Sequence, residues 1–164
     1  MRHAFKALIL LFLATSSPAA AVAQDGALVK PTSDVFREVV AVDEAGSKVT
    51  HLEPVSSARP GEVLTFLIRY SNEGDEEAKD IVLTNPVPQH MVYEGQSARG
   101  EGTTISFSVD GGISYDTPDS LMAAGEDGKV RRAMPSDYTH IRWQLVNPVP
   151  ARGGGTVSFR ARVK

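Results

Sequence analysis

The feature that most constrains this chain is a two-residue alternation of apolar side chains, repeated between turns. In Glu62 to Tyr70 (EVLTFLIRY), Leu64, Phe66, Ile68 and Tyr70 fall on one face, and Val63, Thr65, Leu67 and Arg69 on the other. Side chains of an extended strand alternate between faces, so this pattern predicts a half-buried β-strand. Thr104 to Val109 repeats it with Ile105, Phe107 and Val109. Thr156 to Val163 repeats it with Val157, Phe159, Ala161 and Val163 inward, leaving Arg160 and Arg162 to face water. Ala78 to Thr84 and Tyr138 to Leu145 are looser strands, the first broken by Asn85-Pro86. Val35 to Val42 and Lys48 to Leu52 are fainter ones, joined by an Ala45-Gly46 turn.

Gly, Pro, Asn and Asp punctuate these segments, at Pro60-Gly61, Asn72-Glu73-Gly74 and Asp110-Gly111-Gly112. Those residues accept the backbone that tight turns demand. Short strands with such spacing predict an antiparallel all-β sandwich of about seven to nine strands. Its expected core includes Phe66, Phe107, Trp143 and Phe159. Pro118 to Pro135 fits no strand and reads as a long loop, with one helical turn at Leu121-Met122-Ala123-Ala124.

The first residues read differently. Arg2, His3 and Lys6 precede the apolar stretch Ala7 to Ala14, and Ala21-Val22-Ala23 supplies small residues for cleavage before Gln24. That is the pattern of a secretory signal peptide over residues 1–23. The apolar stretch is too short for a spanning helix, which needs about 20 residues. The expected layout is a flexible leader over 24–33 and one domain over 34–164, in the periplasm or outside the cell. Export permits disulfides, but the chain contains no cysteine. Burial alone must therefore hold the fold, and a lipoprotein anchor has no attachment point. The formal net charge is −3, and it becomes more acidic when Arg2 and Lys6 leave with the signal. Such a balance gives no electrostatic footprint for nucleic acid.

Five stretches in order carry a resemblance. They are Arg59-Pro60-Gly61-Glu62-Val63-Leu64-Thr65-Phe66, Tyr70-Ser71-Asn72-Glu73-Gly74-Asp75, Asn85-Pro86-Val87-Pro88, Tyr93-Glu94-Gly95-Gln96-Ser97-Ala98 and Ser108-Val109-Asp110-Gly111-Gly112. Together they resemble the bacterial surface-protein repeat called domain of unknown function eleven, over about residues 35–163. The resemblance implies an immunoglobulin-like β-sandwich, used in tandem as a spacer or adhesive module, with no general catalytic residues. Glu62 stands where that family commonly has Asp, and the closing turn Ala151-Arg152-Gly153-Gly154-Gly155 lacks the usual Pro-Gly.

Candidate chemistry is sparse. Gly61, Asn72, Gly74, Asp110, Gly111 and Gly112 read as structural turn residues. Asp110, Asp116 and Asp119 are the calcium candidates, although calcium wants six to eight converging oxygens and no EF-hand spacing is present. His51, His90 and His140 are too scattered for a zinc motif. Ser97 sits in a near-match to the nucleophile elbow, which Arg99 spoils. Ser108-x-Asp110-x-Gly112 has the form of an Asp-box hairpin. Tyr93, Tyr115 and Tyr138 are the rings available for stacking on a sugar. The expected function is a noncatalytic cell-envelope module, without cofactor, that contacts another envelope or secreted protein through the edge strands Thr156–Val163 or Val35–Val42. A calcium-dependent or carbohydrate-binding adhesive module is the alternative.

Overall fold

The computed structural model describes the backbone of Leu10–Leu11 and residues 28–125 and 127–164. The strands in chain order are β1 (Leu10–Leu11), β2 (Val29–Val42), β3 (Lys48–Pro54), β4 (Ser57–Ala58), β5 (Val63–Asn72), β6 (Val82–Pro86) and β7 (Met91–Tyr93). They continue with β8 (Arg99–Gly100), β9 (Thr103–Ser108), β10 (Met122–Ala124), β11 (Val130–Arg132), β12 (His140–Leu145) and β13 (Gly154–Val163). One 3-10 turn, Pro135–Asp137, precedes β12. The fold is an antiparallel all-β sandwich. The larger sheet runs β3-β2-β5-β13-β7, with β8 also on β13, and the smaller runs β6-β12-β9.

The alternating faces meet between these sheets. Leu64, Phe66 and Ile68 of β5 lie beside Ala161, Phe159 and Val157 of β13, and all are buried. Ile141 and Trp143 of β12 face them and are fully inaccessible. Phe66 and Phe159 stack at 4.6 Å within the large sheet. Trp143 reaches across to Phe159 with ring centroids 6.2 Å apart. Burying a ring of that size is worth about 4–6 kcal/mol by apolar area, as an upper figure. A second aromatic group, Tyr93, Phe107 and Tyr138, fills one end of the core. The four expected core aromatics are thus in place, Phe107 in this end group and the other three at the centre.

Strand order follows from where the last strands go. In the constant-type immunoglobulin sandwich, the first, second, fourth and fifth strands share one sheet, and the third, sixth and seventh the other. Here the strands divide differently. β9 joins β12 in the small sheet, and β13 lies between β5 and β7 in the large one.

The flexible leader, the strand break at Asn85-Pro86 and the loop over 118–135 need correction; the signal peptide is not among them. The signal peptide and residues 24–27 of the leader lie outside the described residues, apart from the Leu10–Leu11 backbone, which pairs with β4. The rest of the leader is no leader: Val29 to Ser33 are strand, paired from Val29↔Asn72 to Ser33↔Ile68. Pro31 disguised this. Even-numbered residues of β2 turn their peptide groups towards β5, since the odd-numbered Val35 accepts from Val55 on the β3 side. The missing N–H of Pro31 therefore falls on a side where β3 does not reach, as sheets require of proline. Similarly, β6 runs to Pro86 because β6 is an edge of the small sheet.

The segment 118–135 is not a loop with a helical turn. Met122↔Arg132 to Ala124↔Val130 pair as a small hairpin. Leu121 and Ala133 are buried at its base, with Ala133 N donating to Leu121 O at 2.9 Å. The Arg131 guanidinium holds the Asp137 carboxylate through two bonds, of 2.6 and 3.0 Å, and clamps the hairpin to the 3-10 turn.

Candidate functional site

The turn motifs do structural work, and more of it than turn-making. Asn72 ends β5 fully buried. Its Oδ1 accepts from Leu28 N (3.2 Å) and Gly74 N (3.0 Å), and its Nδ2 donates to Glu76 O (2.7 Å), Val149 O (3.1 Å) and Pro150 O (3.2 Å). One amide thus joins the chain before β2, the β5–β6 turn and the approach to β13. Neither Asn72 nor Gly74 has positive φ, so this turn rests on the side chain and not on left-handed backbone. Glu62 Oε2 accepts from Arg59 N and from the Arg37 guanidinium, both at 3.0 Å. The Arg59 N–H, chiefly, holds its carboxyl below the usual glutamate range.

Ser108 to Tyr115 forms a self-contained loop. Gly111 and Gly112 have φ of 79° and 90°, which a side chain would resist. Asp110 accepts from Ile113 N (3.1 Å), from Ser114 N (3.0 Å) and from the Ser108 hydroxyl (2.7 Å). Hydrogen bonds, first from Ser114 and then Ser108, hold its carboxyl far below the ordinary aspartate value. The other calcium candidates point elsewhere. Asp116 caps its own neighbour, Thr117 N at 2.7 Å, and Asp119 faces Arg132 at 3.2 Å. The three do not converge, and no cluster of three or more potential ligands occurs among the described residues.

The proposed stacking rings are spoken for. Tyr93 is 3% exposed and Tyr138 7%. The Tyr93 hydroxyl accepts from Ser97 N (3.1 Å) and Ala98 N (2.9 Å). Ser97 is turned to β13, where its hydroxyl accepts from Arg160 N (3.0 Å) and donates to Arg160 O (3.2 Å). That serine staples the Gly95–Ala98 turn to the large sheet. Tyr115 lies under the Arg142 guanidinium.

An open cavity of about 520 Å³ lies where Tyr93, Phe107, Tyr138, Ile105, Pro118 and Pro135 come together. Among the described residues no carboxylate, histidine or lysine lines it. It can hold an apolar group but offers no acid–base pair.

The edges are where sequence reasoning went astray. Both expected edge strands are interior: β13 has β5 on one side and β7 and β8 on the other, while β2 lies between β3 and β5. Terminal strands need not be edges when long-range pairing inserts them. Among the described residues the large sheet ends at β3 on one side and at the three-residue β7 on the other, and β3 is exposed at every residue. Val55 N donates to Val35 O (3.1 Å) and Asp43 N to Ser47 O (2.9 Å). In that register odd-numbered residues of β3 bond to β2. Lys48, Thr50 and Leu52 then direct their N–H and C=O groups outward.

β2 and β3 also outrun the sandwich. β5 pairs with β2 only as far as Arg37, yet β2 and β3 stay paired to Val42↔Lys48. The projecting arm shows Val40 (61% exposed), Val42 (66%) and Leu52 (43%) on one face. A two-stranded ribbon of this kind is marginal alone in water. A period-two count could have found it: Val40, Val42, Thr50 and Leu52 share a parity that no core residue opposes.

No family model, no curated protein and no solved structure matches this chain. No described helix is long and apolar enough to cross a membrane.

Proposed function

We propose that this chain is a noncatalytic, exported module of the cell envelope, and that it engages another protein by accepting a strand at the β3 edge. The observation that carries the reading is the row of outward peptide groups at Lys48, Thr50 and Leu52 on a strand that has no second neighbour among the described residues. Unpaired edges are templates for a partner strand. β3 is longer than the other strands that have a free side, and Lys48 and Pro54 at its ends discourage indiscriminate pairing. Export rests on the signal-like residues 1–23. The resemblance of Arg59–Phe66 and Asn85–Pro88 to a surface-protein repeat of immunoglobulin-like type supports an envelope setting. The saturated Asp110 and the staple at Ser97 favour a structural module over a hydrolase or a calcium adhesin.

The test is a photo-reactive residue at Thr50, with Ser33 as a control, in cells of the native host. One discrete protein adduct from position 50 and none from 33 supports the reading. Thr50→Pro, which removes an outward N–H that β2 does not use, abolishes the adduct while the melting temperature stays within a few degrees. Equal labelling from both positions, or an adduct that survives Thr50→Pro, refutes it.

A further inference from the structure

The outer face of the small sheet carries a second feature, distinct from the β3 edge. β12 is the middle strand there, and His140, Arg142 and Gln144 point away from the core. Arg142 stands opposite Thr84 of β6 on one side and Ser106 of β9 on the other. Such cross-strand neighbours have Cβ atoms about 4.5–5.5 Å apart. The Arg142 guanidinium carbon sits 3.5 Å from the centroid of the Tyr115 ring. Tyr115 leaves the Asp110-clamped loop, whose Gly112 packs beside both the Tyr115 hydroxyl and the His140 ring. A rigid loop therefore holds an aromatic plate beneath a cation.

What this cation lacks is an anion. Arg37, Arg69, Arg131, Arg132, Arg152, Arg160 and Arg162 each face a carboxylate; Arg99 donates instead to the carbonyls of Gln96 and Ala98, and Arg59, like Arg142, has no ion pair among the described residues. Arg142 has no ion pair and no side-chain hydrogen bond among the described residues, and its Nε is buried without an acceptor. Thr84 and Ser106 likewise spend their hydroxyls on nothing within the described residues. A buried N–H left without an acceptor is costly, and in Arg142 that donor is Nε, while the Nη groups remain open to solvent and to a partner. Asp110, the carboxylate whose charge reaches His140, is occupied by its own loop. Burial, chiefly, lowers the His140 pKa, so the imidazole is neutral at pH 7 and adds no rival cation.

We propose that Arg142, set on Tyr115 and flanked by Thr84 and Ser106, is the anchor of a recognition site for a carboxylate carried by an acidic peptide segment. The two Nη groups present a planar fork that a carboxylate meets with parallel hydrogen bonds, and the hydroxyls border it on either side. Arg142 lines neither the cavity at Tyr93 and Phe107 nor the one at Tyr70 and Pro148, and it stands on the open face of the middle strand of the small sheet. That face suits one charged side chain presented by a larger partner lying across the strands. The proposal deepens the reading of the chain as an interaction module, but it uses a different sheet.

The test follows the Nε–H resonance of Arg142, with the backbone amides of Thr84 and Ser106, in nitrogen-15-labelled protein. The titrant is a blocked hexapeptide alternating Glu and Gly, and the control replaces Glu with Gln. The expected result is a saturable shift at these three residues with the Glu peptide. Affinity falls by about tenfold or more with the Gln peptide and in Arg142→Gln. Arg142→Lys, which keeps the charge and loses the fork, also weakens binding, and an unchanged melting curve for both variants excludes unfolding as the cause. Shifts that spread evenly over the exposed arginines, a Gln peptide that binds equally, or an Arg142→Gln variant that binds like the wild type overturns the proposal. Glucuronate in place of the peptide separates the sources: saturation by the sugar acid alone overturns the assignment to a peptide. The β3 cross-link at position 50 is read in the same Arg142→Gln variant. Its survival there shows that failure of this site leaves the edge-strand reading standing.

Discussion

Replacing Asn72 tests whether one buried amide organises this end of the sandwich. In Asn72→Ala, two N–H groups lose their acceptor and three carbonyls lose their donor. A net value near 1 kcal/mol per hydrogen bond, with some carbonyls recovering water, puts the loss at about 3–5 kcal/mol. A domain of ordinary stability has only about 5–15 kcal/mol to lose. With a urea slope of about 1.5 kcal/mol/M, the unfolding midpoint falls by about 2–3 M. Asn72→Asp is worse at neutral pH, because a carboxylate then faces the carbonyls of Glu76, Val149 and Pro150. The folded-state pKa of that new carboxyl is raised. Its penalty is therefore full above the raised value and shrinks as pH falls towards the ordinary aspartate value near ~4. Urea titrations at pH 7 and 4.5 read both effects. A loss below about 1 kcal/mol for Asn72→Ala, at unchanged slope, would show that water replaces the amide and that the hub is not one.

Other expectations are as direct. Gly100→Ala places a Cβ 2.9 Å from Val157 and 3.0 Å from Trp143; the overpacking destabilises by about 1–3 kcal/mol in the same titration. A double-mutant cycle on Phe66→Leu and Phe159→Leu, whose rings stack at 4.6 Å, returns a coupling of about 0.5–1.5 kcal/mol, and additivity would contradict the packing. The Arg131 hydrogen bond, foremost, lowers the Asp137 pKa. The stability it contributes is complete above the unfolded-state value of about 3.9 and disappears as pH falls through the folded value. Asp137→Asn therefore flattens the acid limb of the stability profile, and an unaltered limb would mean that the clamp is solvent-screened.

Most of the sandwich was legible because its central strands are amphipathic in the simplest way. Leu64, Phe66 and Ile68 announce both a strand and a buried face, and Val157, Phe159 and Ala161 do the same. What stayed hidden depends on partners distant in sequence. Val29 to Ser33 carries Pro31 and polar residues, and only its pairing with β5 makes it a strand. Met122 to Ala124 has a helical composition, which pairing with Val130 to Arg132 overrides. Edge position is a property of the whole sheet, so neither Val35–Val42 nor Thr156–Val163 could declare itself interior. For the candidate sites, Asp110 and Ser97 were visible as motifs, but whether their oxygens are free is a three-dimensional fact. Arg142 carried no local signal; its idle donors appear only when every neighbouring acid is accounted for.

The place of β13 has a temporal consequence. It is the common neighbour of β5, β7 and β8, and it supplies Val157, Phe159 and Ala161 to the centre of the core. A chain growing from its amino terminus has made β2, β5 and both partners of β12 before this strand exists, yet the large sheet remains split. Contacts such as Arg162↔Val63 span almost a hundred residues, and loops of that length close late. Until Gly154–Val163 has been made, the large sheet lacks the strand that joins β5 to β7. A stop before β13 would leave a sticky open sheet instead of a smaller domain.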